Sequence, residues 1–174
     1  MDEKKYILTC MERAKSLLHE YLNNLNMEQI CYQPSENSNS ISWIVWHTIR
    51  AFDRRISLLD RKEQVWMSSK WYIKYNLPAS DHDLGIGHSI KDIPTIKPSR
   101  VEDMLNYFDE VYIKMIDFFE NNFFDLDKKV LETENSIGHE LMRMTTGTFQ
   151  HWGQINYIRG ILLSNALIVC QTIH

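Results

Sequence analysis

Residues 141–163, LMRMTTGTFQHWGQINYIRGILL, decide the fold. Leu141, Met144, Thr148, His151, Ile155, Ile158 and Leu162 alternate three- and four-residue steps, the spacing of a helix-bundle seam. This stretch predicts a helix from near Ser136 to about Leu163. Three earlier segments carry matching stripes. From Lys4 to about Leu25, Ile7, Cys10 or Met11, Ala14, Leu17 or Leu18, Tyr21 and Leu25 draw one apolar face. A second helix, capped by Asn39 or Ser40, runs to about Leu59 through Ile41, Ile44 or Val45, Thr48, Phe52 and Ile56. A third opens at Pro98-Ser99-Arg100-Val101-Glu102, where Ser99 and Glu102 have capping-box spacing, and continues to about Glu120.

Between the second and third helices, residues 60–98 hold three prolines, Gly85 and Gly87, and no sustained period. Trp66, Trp71 and Tyr72 are expected to pack part of this stretch down. A connection of this length is unusual and often functional. The reading is an all-α protein, a four-helix bundle with a long crossover between helices 2 and 3, forming one domain over residues 1–174. The crossover permits a topology other than up-down-up-down.

Composition narrows the function classes. Apolar residues make up 44% and charged residues 24%, which suits a globular helical chain. The net charge of -4 comes without any Lys/Arg block, so nucleic acid is disfavoured as a partner. No apolar run is long enough to span a membrane, and the start has no leader pattern, so a cytoplasmic location is expected. Cys10, Cys31 and Cys170 are scattered and odd in number, which reads as reduced thiols. The apolar tail 166–169 is expected to pack on the bundle or on a partner.

His151 lies in the fourth seam and His47 beside the second, so both face inward. Imidazoles from two facing helices can share a divalent ion, although an inward histidine is more commonly a hydrogen-bonded core residue. Spacing alone leaves both readings open. The stretch 39–47, Asn-Ser-Ile-Ser-Trp-Ile-Val-Trp-His, followed by Arg50 and Asp53, resembles the second-helix motif of DinB/YfiT-like proteins. His151-Trp152-Gly153-Gln154-Ile155 resembles their fourth-helix motif, and the order of elements matches over most of the chain.

The resemblance implies a bundle, often a homodimer, with one metal-binding histidine on the second helix and an H-x-x-x-H pair on the fourth. His47 and His151 match that pattern as metal ligands. The remaining position is Gly147, so the triad is degenerate. His88, in the crossover, is the candidate additional ligand, with His82 beside it; His139 is too far along the fourth helix, and His19 and His174 carry no such argument. Arg50, Asp53 and Arg54 are read as interhelical or surface ion pairs, with ligand orientation as the alternative. Gln154 and Arg159 are read as pins between helices. Catalytic residues remain unassigned.

The implied cofactors are a divalent metal, such as zinc or nickel, and a low-molecular-weight thiol, with a small-molecule substrate. Two functions follow from different classes. One is a metal-dependent thiol S-transferase with a degenerate histidine site. The other is a metal-free bundle serving as a binding or dimeric assembly module.

Overall fold

In a computed structural model of the chain, residues 1–122, 125–131 and 133–163 are described. Cys170, His174 and the apolar stretch 166–169 lie outside the described residues. Four long helices form the core: α1 (Glu3–Leu22), α3 (Ile41–Asp60), α6 (Val101–Asn121) and α7 (Ile137–Leu163). A short α2 (Met27–Cys31) follows the first. The crossover carries α4 (Val65–Ser68), α5 (Trp71–Lys74) and a 3-10 turn at Ile93–Thr95. Among the described residues there is no strand, only an isolated bridge between Lys129 and Ser136. None of these helices is long and apolar enough to cross a membrane.

The expected seams are the buried faces. Ile7, Met11, Ala14, Leu18 and Tyr21 meet Met104, Phe108, Val111 and Met115, while Ile44, Phe52 and Ile56 pack with Leu141, Met144 and Ile155 in one core. Helix α1 lies against α6 and α7, and α3 lies against the same two. Hydrogen bonds set the directions. Trp152 Nε1 donates to Ala14 O (2.7 Å), and Arg159 Nη1 donates to Tyr21 O and Asn23 O (both 2.8 Å), so α7 runs parallel to α1. Tyr107 Oη donates to Asp53 (2.9 Å) and Lys114 Nζ to Ser57 (2.6 Å), so α6 runs parallel to α3. The crossover is long because it must return the chain to the end from which α3 started.

Two local readings change. The first helix stops at Leu22, and Asn26 starts α2 with a capping box closed by Gln29. Ser99 does not cap α6: its hydroxyl and amide both donate to Lys74 O (2.8 Å each), and Arg100 takes the N-cap position without a side-chain bond. Ser99 thus ties the crossover to its own earlier turn. Ser40 caps α3 as expected, accepting from Trp43 N at 3.2 Å.

Candidate metal site

The crossover is fastened to α3 by two buried charges. Arg50 donates from Nε to Asp83 O (3.1 Å), from Nη2 to Ser80 O (2.9 Å) and from Nη1 to Gln64 Oε1 (2.7 Å). Its guanidinium also lies 4.6 Å from the Trp66 ring centre, a cation–π contact in a dry setting. Asp53 accepts from Val65 N (2.9 Å), Trp66 N (2.8 Å) and Tyr107 Oη, fixing the start of α4. Both residues are fully buried, so the surface ion-pair reading is corrected for them. They hold backbone. Arg54 is exposed.

That fastening brings the loop 83–88 over the first turns of α3. Gly85 sits at φ +80°, where a Cβ would come within 2.8 Å of Trp43 and 3.0 Å of Trp46. A side chain there would be strained and would push the loop off both indoles. The close approach delivers Leu84 O to His47 Nδ1, which it meets in a short hydrogen bond. A carbonyl only accepts, so Nδ1 carries the proton and Nε2 keeps its lone pair.

His47 is half-buried, stacked on Trp43 at 4.8 Å and 7° between planes. His151 of α7 stands edge-on to it, with ring centres 5.2 Å apart. Its Nδ1 meets Gln154 Oε1 at 3.0 Å, which leaves Nε2 available in the same way. Gln154 therefore orients His151, where the sequence reading had it pinning helices. Arg159 does pin α7 to α1.

The pair fits two positions of a coordination sphere. Imidazoles sharing a tetrahedral ion at ~2.0–2.1 Å per bond have ring centres about 5 Å apart. Ligand histidines usually donate their other ring N–H to a fixed oxygen, as both do here. A third ligand is the deficit. Gly147 offers none, and a Cβ there would meet nothing within 4 Å. His88 has both nitrogens engaged: Nδ1 accepts from Trp43 Nε1 (3.2 Å) and Nε2 meets Asp83 Oδ1 (3.1 Å). It also stacks on Trp46 at 5.7 Å, so it serves to seat the loop. His82 is exposed beside Asp81, His19 pairs with Asp109, and His139 is exposed. Among the described residues no group of three His, Cys, Asp or Glu side chains forms a metal site.

Burial lowers the His47 pKa below the ordinary 6.5; the Leu84 bond opposes this, and the nearby His151, Arg55 and His88 add to the lowering. Because the folded state favours neutral His47, its contribution is intact above pH 6.5. It is lost as pH falls below that value, where the unfolded chain binds the proton more readily. Urea melts of metal-free protein from pH 7.5 down to 5 should show declining stability, and His47→Gln should flatten that slope. An unchanged slope would remove His47 as its source.

No curated protein matches the chain. The fold is similar to that of a crystal structure of the "conserved protein of locus" from Enterococcus faecalis, with a TM-score of 0.84 and 19% identity. That match covers 95% of this chain and 99% of the other. The profile of the DinB superfamily matches residues 11–155, a span that holds both histidine motifs and all four long helices in part or whole. The chain belongs to the DinB superfamily.

Proposed function

We propose that His47 and His151 hold a divalent ion such as zinc or nickel through their Nε2 atoms, and that a low-molecular-weight thiol completes the shell. The activity class is thiol S-transfer to a small electrophile. One observation carries this reading: both imidazoles have Nδ1 tied to an oxygen, Leu84 O and Gln154 Oε1, and stand edge-on with ring centres 5.2 Å apart, one turn from Gly147. When bound, the ion supplies a Lewis acid that favours the thiolate over the thiol. The protein's share is to fix the two tautomers, shield one side with Trp43 and leave room on the Gly147 side.

Gly147 also favours a second reading, a metal-free bundle that works as a binding or homodimeric assembly module, because two imidazoles alone hold a divalent ion weakly. Metal content decides between them. Protein purified without chelator and dialysed against micromolar zinc together with a low-molecular-weight monothiol should carry about one ion per chain, and His151→Ala should carry none. Equal metal in both proteins, or none in the native one, would sink the ligand assignment. Thiol consumption with an electrophilic acceptor then tests transfer itself.

A further inference from the structure

The histidine pair lies at one end of the seam between α3 and α7. Helices α3 and α7 are antiparallel neighbours, with His47 beside His151 and Arg55 beside Glu140 and Arg143. The register between these ends places Ala51 and Gly147 at the same level of the seam. Both middle residues are small and only partly buried, and the Gly147 side is open. Eight residues of helix, about 12 Å, separate the histidine level from the arginine level.

The far end is cationic. Glu140 is buried and already spoken for: Oε2 accepts from Arg55 Nε (3.3 Å) and Oε1 from Asn135 Nδ2 (2.6 Å), with Arg143 Nη1 at 3.8 Å. Among the described residues it is the only carboxylate within 4 Å of Arg54, Arg55 or Arg143. Arg55 also curls back along its helix, Nη1 donating to Ala51 O at 3.3 Å, which brings its guanidinium a turn closer to His47. Its Nη2 group remains for a ligand.

We propose that the outer side of this seam binds a small molecule bearing a carboxylate, held by Arg55 with Arg143, while its other end reaches the His47–His151 pair. The inference rests on the pair being a ligand-binding centre, and it adds the charge of the ligand. Arginine suits a carboxylate because its planar fork offers parallel donors, and the half-shielded setting strengthens them. Gly147, where a Cβ would meet nothing within 4 Å, leaves room for such a molecule between the two ends.

The test uses the full chain, with and without zinc, and two pairs of probes: 3-mercaptopropionate against 3-mercapto-1-propanol, and 6-mercaptohexanoate against 6-mercaptohexan-1-ol. Chemical shifts of the Gly147 amide and the Arg55 Nε–H are followed by NMR. In at least one pair the acid should saturate them at about tenfold lower concentration than the alcohol. Arg55→Gln should erase the preference and Arg55→Lys should restore part of it. Should Arg55→Gln fail to fold with Glu140 left behind, Arg143→Gln, at a half-exposed position, should still reduce the preference about two- to threefold. Equal saturation by acid and alcohol overturns the proposal, as does a preference that survives Arg55→Gln. Absence of zinc-dependent shifts at His47 and His151 overturns the metal reading instead, and the zinc-free comparison still decides the carboxylate.

Discussion

Replacing Gly147 by histidine should raise zinc affinity on the order of a hundredfold or more, since a direct ligand is worth more than the ~10–100-fold of an outer-shell partner. Position 147 lies one turn before His151 on the same helix face. A Cβ there meets nothing within 4 Å, so the substitution creates no clash at its first carbon. Three imidazoles plus water make the open zinc site that two leave incomplete. The helix should also gain a few tenths of a kcal/mol, because glycine is the poorer helix former. Competition titration against a chromophoric chelator measures the affinity, and the melting temperature should become strongly zinc-dependent. A folded Gly147→His protein with unchanged affinity would mean that the 147 turn does not face the His47–His151 pair.

The largest loss of stability should come from Asp53→Ala, about 4 kcal/mol, or roughly a 10 °C fall in melting temperature for a chain of this size. The carboxylate is fully buried and receives the Val65 and Trp66 amides and the Tyr107 hydroxyl. Alanine would strand these three buried donors and remove the acceptor of a fourth, longer bond from Ser57 Oγ (3.4 Å), each with its own desolvation penalty. Asp53→Asn should fall between, since its amide oxygen still accepts one backbone donor while its NH2 group opposes the other, the two amides being bound by different oxygens. Tyr107→Phe removes one donor along with its bond and should cost only about 1 kcal/mol. Urea denaturation of the four proteins measures the series. A loss under 1 kcal/mol for Asp53→Ala would show that water replaces the carboxylate.

The bundle was legible because its signal is periodic: the seam from Leu141 to Leu162 and the stripes of the other three helices follow from side-chain spacing alone. Spacing put His47 and His151 on or beside the seams but left their relative position open, and the structure sets the two rings side by side. The carbonyl of Leu84 was not legible, because a backbone oxygen leaves no mark on residue type. Gly85 and Gly87 did mark the loop, and the requirement for φ +80° against Trp43 explains the first of them. Arg50 and Asp53 were read as ordinary ion pairs because spacing within α3 says nothing about where residues 64–84 return. The crossover has no period to extrapolate, and its position is fixed by three-dimensional bonds to those two side chains. Ser99 shows the opposite error, a capping signal that a nearby carbonyl, Lys74 O, outcompetes.

The clasp between the first and last long helices bears on how the chain matures during synthesis. Ala14, Tyr21 and Asn23 present carbonyls whose partners, Trp152 and Arg159, lie about 140 residues downstream. Until that distal stretch clears the ribosome, α1 has α6 alone to lean on, and its inner face stays partly wet. Contacts so remote in sequence form late and slowly, because a long loop must close before they return any free energy. The nascent protein therefore spends most of its translation with an unshielded amphipathic first helix, the interval in which a holdase would recognise it.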